Sequence, residues 1–347
     1  MPRRLVTIPA LFLLAATATL SAPLWILVLT GVGVFRRRRF IALRLCLFVL
    51  IYSWMELFGV IGMTGAWALG QSANQPFHYS LQRVWANSLF RAMRWLLQLR
   101  LVVEGDEVLN DGPFLLLMRH TSIADTVLPA ALLSSERGFR LRYVLKKELR
   151  GDPCLDIAGG RLPNHFVDRK QVDESELQAI ATLARGMSER EAVVIYPEGT
   201  RFTEAVREKV LAKLRASDSS RLSVAESLKN TLLPKIRGVA ALHEAAPELD
   251  VVFFAHHGFE GFSTMASMLS GELVGCTVNI RFWRRPASTL GPDIATWLDE
   301  EWRRVDDYVD TFSGRVHSHS LVSETLVSET LVSETAEQTP DSSLRSA

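Results

Sequence analysis

The feature that most restricts the fold lies at the front of the chain. Leu5 to Phe35 carries no charged residue, and Phe40 to Leu69 carries only Arg44 and Glu56. Apolar stretches of that length read as membrane-attached helices rather than as parts of a soluble core. Arg3 and Arg4 precede the first stretch and Arg36 to Arg39 close it, so positive charge stands at both ends and a single crossing cannot satisfy both. The stretch is also broken near Ser21, Ala22 and Pro23 into arms that are each shorter than the roughly 20 residues a crossing needs. Two arrangements remain open: a re-entrant hairpin with both basic ends cytoplasmic, or a spanning first helix followed by a segment that dips into the interface. A cleaved signal peptide fits worse, because the apolar run continues past any plausible cleavage point. Residues 1–75 are therefore expected to form a membrane-associated helical anchor.

From Tyr79 to Arg100 the pattern becomes amphipathic, with Leu81, Val84, Trp85, Leu89, Met93 and Leu96 interleaved with Arg83, Arg91 and Arg94. Such a helix suits an anionic lipid surface or packs on a domain core, and periodicity alone does not choose between the two. Over the 347 residues, 39 basic side chains balance 38 acidic ones, so no global field points to nucleic acid as a partner. Cys46, Cys154 and Cys276 are odd in number, far apart and without a CxxC, which supports neither a disulfide framework nor a zinc site.

Beyond Leu99, short β-rich runs alternate with helical stretches. The runs are Leu101 to Val103, Phe114 to Met118, Arg142 to Leu145, Ala192 to Tyr196, Val251 to Ala255 and Thr277 to Phe282. Helical patterns cover Val172 to Glu189, with Asp173 and Glu174 near its start, and Thr203 to Leu214. The alternation indicates an α/β domain over residues 76–313. In residues 314–347 aromatic residues vanish and the unit LVSET recurs three times from Leu321 to Thr335. A five-residue period matches neither helix nor strand, and this tail reads as disordered.

Two polar turns follow apolar strands. Arg119-His120-Thr121-Ser122-Ile123-Ala124-Asp125 comes directly after Phe114 to Met118 and opens a helical pattern. Functional groups in open α/β sheets collect at such strand ends. On a helical turn Asp125 can reach back to the His120 imidazole and fix its tautomer, an arrangement suited to removing a proton from an alcohol. An isolated His and Asp at this spacing would more often be a local cap and a helix-start acid. The second turn, Tyr196-Pro197-Glu198-Gly199-Thr200-Arg201, follows Ala192 to Ile195 and argues for one shared cleft. Arg201 offers a planar donor fork suited to phosphate, Gly199 permits close approach of the backbone, and Thr200 supplies a hydroxyl. The plainer alternative is a turn that holds a structural pair between Arg201 and Glu198.

The spacing of His120 and Asp125 followed by Glu198 to Arg201 resembles the glycerolipid acyltransferase family, which includes the 1-acylglycerol-3-phosphate acyltransferases. Lys146-Lys147-Glu148-Leu149 is similar to the family's KxEL stretch, and Gly160 through Phe166-Val167-Asp168-Arg169 to its second block. Leu232-Leu233-Pro234-Lys235 stands where its fourth block is expected. The resemblance covers roughly Leu99 to Phe282; Thr121 and Ser122 depart from many relatives and leave acceptor choice open. It implies a mixed sheet wrapped by helices with an N-terminal membrane anchor. It also implies His120 as general base, Asp125 as its orienting acid, and Lys146, Arg169 and Arg201 around an acceptor phosphate. Glu198 would position those groups, with Gly199 and Thr200 beside them, and Pro234 would shape the pocket. The implied donors are acyl-CoA or acyl-carrier protein, the implied acceptor a lysophospholipid, and the implied setting a membrane surface facing the cytoplasm, with no cofactor or metal.

Competing candidates are weaker. His256 and His257 follow a strand, so one faces inward, but no carboxylate stands at metal-ligand spacing and core or edge histidines are expected. Cys154 lacks the surroundings of a nucleophile. A serine-hydrolase elbow, a P-loop, a dinucleotide fingerprint and HExxH are all missing from the chain. An acyltransferase for another lysophospholipid or lipid alcohol, and an inert lipid-binding protein of the same fold, are the alternatives to transfer onto lysophosphatidic acid.

Overall fold

The structure is a computed structural model that describes residues 2–36, 39–169, 173–263 and 265–312. The repeat tail, and with it the expectation of disorder over 314–347, lies outside the described residues. Four helices come first: α1 (Pro2–Leu20), α2 (Ala22–Arg36), α3 (Ile41–Ala68) and α4 (Gln75–Leu97). The break between α1 and α2 falls at Ser21, as the sequence indicated. By length and composition α1 and α3 could each cross a membrane, while α2 is shorter.

The two charged residues of the second apolar stretch both turn toward protein, which is why an otherwise apolar helix tolerates them. Glu56 accepts hydrogen bonds from Trp85 Nε1 at 2.9 Å and from the Cys154 backbone N–H at 3.3 Å. Arg44 donates to the carbonyls of Arg39 and Leu96. The opposite side of α3 leaves Val49, Trp54, Phe58, Ile61 and Trp67 exposed. Arg3 and Arg4 pair with Asp156 and so fasten the start of α1 to the catalytic part of the chain.

For α4 the structure chooses between the two readings left open above. Tyr79, Leu89, Met93 and Leu96 are buried in contact with the rest of the protein, while Val84, Arg91, Arg94 and Trp95 stay outside. Most of the apolar stripe is core.

The sheet has seven strands: β1 (Arg100–Glu104), β2 (Phe114–Met118), β3 (Arg140–Lys146), β4 (His165–Val167), β5 (Glu191–Ile195), β6 (Asp250–His257) and β7 (Thr277–Arg285). Their order is β1-β7-β6-β2-β5-β3-β4. Five strands from β6 to β4 run parallel; β7 is antiparallel to β6, and β1 runs with β7, so the sheet is mixed. The three-residue β4 was not anticipated, because so short a strand has no readable alternation. The helix expected over Val172 to Glu189 is shorter, Glu174–Thr182, and the chain then turns through Gly186 at φ 58.

Strand alternation divides the core in two. Phe114, Leu116, Met118, Val194, Val252 and Phe254 face α3 and α4. Leu115, Leu117, Val193, Val251 and Phe253 face the other layer. The remaining helices are α5 (Pro153–Gly159), α6 (Glu174–Thr182), α7 (Glu204–Ala216), α8 (Leu222–Ser227), α9 (Ile236–Ala245), α10 (Met265–Ser270) and α11 (294–312). Of these, α6, α9 and α11 cover that second face, with Trp302 of α11 fully enclosed. Buried on both sides, β2 reads as a continuous apolar run, as central parallel strands do.

The edge strand β1 leaves the sheet through Gly105 at φ 72, where an added Cβ would lie 2.2 Å from the Phe282 carbonyl oxygen. Gly105→Ala should therefore force β1 from β7 and destabilise the protein by more than about 1 kcal/mol. Thermal unfolding in detergent would show a lower midpoint; an unchanged midpoint would mean that β1 contributes nothing to stability.

Candidate active site

The two polar turns leave the carboxyl ends of neighbouring parallel strands, β2 and β5. That adjacency brings His120 and Glu198 together across 78 residues of chain. The His120 backbone N–H donates to Glu198 Oε1 at 2.9 Å, and its carbonyl accepts from the Phe202 N–H at 2.8 Å. The other Glu198 oxygen accepts from the Leu232 N–H at 2.9 Å, and the Lys235 N–H donates to the Pro197 carbonyl at 2.8 Å. Glu198, 2% exposed, is thus a joint that ties the turn after β2 to the Leu232 segment. Burial pushes its carboxyl up to about 8, against the pull of Arg119 and the two N–H donors. The alternative pair between Glu198 and Arg201 is not formed.

Asp125 is fully buried and reaches His120 as the sequence spacing anticipated, with Oδ1 3.0 Å from Nδ1. Its Oδ2 accepts from the N–H groups of Thr121 at 2.7 Å and Ser122 at 2.8 Å, while Ser122 Oγ accepts from the Asp125 N–H at 3.2 Å. Ser122 and Asp125 therefore cap one another reciprocally at the start of the helical turn, a local reason for this Ser and Asp spacing. Burial works to raise the Asp125 pKa, but the His120 hydrogen bond and charge, the nearby His256 and the backbone N–H groups hold it below the ordinary carboxylate range. An ionised carboxylate only accepts, so the proton between the two sits on Nδ1 and Nε2 is left as the basic nitrogen. The Tyr196 ring lies against the imidazole with centroids 4.7 Å apart.

Arg119 does not face the cleft. Its guanidinium donates to the carbonyls of His256 at 2.6 Å and Asn230 at 2.8 Å and to Glu260 at 2.7 Å, clamping the end of β6 to the loop before α9. His256, expected as a core or edge histidine, is a core histidine beside Asp125. Its Nε2 donates to the Arg119 carbonyl at 3.1 Å and lies 3.6 Å from Asp125 Oδ2. The strand alternation showed that one of the pair turns inward; which carboxylate it meets depends on β2 lying beside β6, a nonlocal fact.

Cations crowd the same edge of the sheet. Lys146 ends β3, Arg169 follows β4, Arg201 follows β5, and Lys235 stands at the entry to α9. Among the described residues none of the four forms an ion pair, whereas neighbouring Lys147 is taken by Asp168 at 2.9 Å. Burial lowers the Lys146 pKa, and repulsion from Arg169 and Arg201 adds to it. Burial also lowers Arg169, with Glu148 opposing. Gly199 sits at φ 68 in the turn, and a Cβ there would meet Lys235 Nζ at 2.8 Å, so the group passing close to this glycine is the lysine. Thr200 and Arg201 are half-buried beside it. Pro234 contributes its carbonyl to Arg221, 3.0 Å away, and so braces the loop.

Residues 100–252 match the family described as Acyltransferase, and they contain every residue of the dyad and of the cation cluster. The matched segment is somewhat less than half of the chain, and over it this chain is similar to that family. Its similarity to the Arabidopsis thaliana protein described as probable 1-acyl-sn-glycerol-3-phosphate acyltransferase 5 is 28% identity over 229 residues, covering 63% of this chain and 58% of that protein. The chain thus spans little more than half of that relative. Among solved structures, the 1-acyl-sn-glycerophosphate acyltransferase PlsC of Thermotoga maritima is 15% identical, with 76% of this chain and 95% of that one covered at a TM-score of 0.47.

The buried His256 has a measurable signature. Burial takes its pKa from 6.5 down to about 4, against the attraction of Asp125. Below the unfolded value the denatured chain gains a proton that the folded one refuses, so stability falls as pH drops from about 6.5 toward 4, by at most about 1.4 kcal/mol per pH unit. His256→Leu should flatten the pH dependence of the urea midpoint over that window. A slope equal to that of the unaltered protein would mean that His256 titrates normally.

Proposed function

We propose that the protein transfers an acyl group from a thioester, acyl-CoA or acyl-carrier protein, to the sn-2 hydroxyl of lysophosphatidic acid, giving phosphatidic acid at the cytoplasmic face of a membrane. The observation that carries this reading is the set of cations without ion-pair partners at the strand ends that also hold His120 and Asp125. A phosphomonoester is the anion such a cluster suits, and it would set the acceptor glycerol beside the imidazole. His120 Nε2 takes the hydroxyl proton as the oxygen attacks the thioester carbonyl. The tetrahedral species collapses by breaking the carbon–sulfur bond, and the proton on His120 goes to the departing thiolate. Asp125 stabilises the imidazolium formed between these steps, and no acyl-enzyme is needed. The name of the Arabidopsis thaliana relative supports the acceptor, and the exposed apolar sides of α1 and α3 support a membrane setting where both lipids are concentrated.

The decisive assay follows labelled acyl groups from acyl-CoA to lysophosphatidic acid in detergent. His120→Ala should abolish product, and Asp125→Asn should lower kcat by about 10²–10⁴-fold, because the amide can turn its NH₂ toward the ring and favour the wrong tautomer. Activity retained by His120→Ala would overturn the mechanism. Equal use of a choline phosphodiester acceptor would overturn the substrate and favour a broader lysophospholipid acyltransferase.

A further inference from the structure

Lys235 lies outside the residues that the family resemblance assigns to the acceptor phosphate, yet the chain is built to bring it there. Its backbone N–H is tied to the Pro197 carbonyl at 2.8 Å, which sets the start of α9 against the turn after β5. Its side chain then crosses Gly199. An added Cβ at that glycine would stand 2.8 Å from Nζ, 3.0 Å from Cε and 3.2 Å from Cδ, so the turn leaves out one side chain where the lysine passes. Gly199 answers two demands at once, the left-handed backbone at φ 68 and the space for the lysine stem.

Charge supports the same placement. Burial lowers the Lys235 pKa, and repulsion from Arg169 and then Lys213 lowers it further. Lys235 therefore approaches the cation already set beside the cleft, and no carboxylate among the described residues pairs with it. Like charges assembled without a counter-ion cost stability, and a bound anion removes that cost.

We propose that Lys235 is a specificity-determining residue that adds a fourth cation to Lys146, Arg169 and Arg201 and tunes the site to the dianion of a phosphomonoester. This inference rests on the acceptor reading above. A phosphodiester carries one negative charge, whereas a phosphomonoester carries nearly two at neutral pH. The extra lysine favours the second.

The test compares Lys235→Met, which keeps the aliphatic stem over Gly199 and removes the charge, with Lys235→Arg. For transfer to lysophosphatidic acid, Lys235→Met should raise KM about tenfold or more, with the loss in KM and not in kcat, and Lys235→Arg should restore most of it. Use of lysophosphatidylcholine should change far less. An unchanged KM for lysophosphatidic acid, or equal losses on both acceptors, would overturn the proposal. Thermal unfolding in inorganic phosphate separates this from failure of the acceptor reading. If the unaltered protein transfers no acyl group to lysophosphatidic acid, that reading fails, while a phosphate-induced rise in midpoint that shrinks in Lys235→Met still places the lysine at an anion site. A rise of equal size in both proteins would overturn it.

Discussion

The Glu198 carboxylate is the interaction on which the site depends. One oxygen holds the backbone of His120 and the other holds Leu232, so a single buried side chain sets the distance between the turn after β2, the turn after β5 and the loop leading to α9. Those loops carry His120, Arg201 and Lys235. Backbone N–H groups are directional and cannot be left unpaired in a buried site without a cost of about 1–3 kcal/mol each. The joint therefore resists small movements. It leaves the imidazole to be oriented separately by Asp125, which is itself fixed by the reciprocal cap with Ser122. Position and orientation of His120 come from two different carboxyl groups, and neither has to do both.

The same region carries an opposing tendency. Burial depresses the pKa values of Lys146, Arg169 and Lys235, and repulsion from Arg169 adds to this at Lys146 and at Lys235. Nothing acidic among the described residues forms an ion pair with them, although neighbouring Lys147 has Asp168, and Glu148 only partly offsets the charge at Lys146 and Arg169.

Much of this was legible in the chain itself. The five-residue separation of His120 and Asp125 placed their contact correctly because it is local: a helical turn and a serine cap suffice to form it. The strand β2 was read residue for residue because five consecutive apolar residues between polar turns leave little choice. What could not be read are the consequences of strand order. His256 meets Asp125 only because β6 lies beside β2, and Lys235 reaches the cluster only because Pro197 receives its backbone N–H. The length of α6 was overestimated because Leu183, Ala184 and Met187 continue an apolar pattern after the backbone has already left the helix; they face the core from turns.

The N-terminal helices are part of the same physical object. The sheet face formed by Phe114, Leu116, Val194 and Phe254 is covered by Ile41 of α3 and by Ala86, Phe90, Met93 and Leu97 of α4. A smaller cluster joins Leu11 and Ala15 of α1 to Leu57, Val60 and Met63 of α3 and to Cys154 and Ile157 of α5. Residue 75, where the sequence suggested a boundary, opens α4, and α4 packs on α3. With one side packed on α1, α4 and α5 and the other exposed, α3 ties the orientation of the domain to its own. Glu56 sharpens the coupling, since rotating α3 would strip its side chain of the Trp85 and Cys154 donors. The apolar exposed side of α3 and the α/β domain are thus held in one fixed relation.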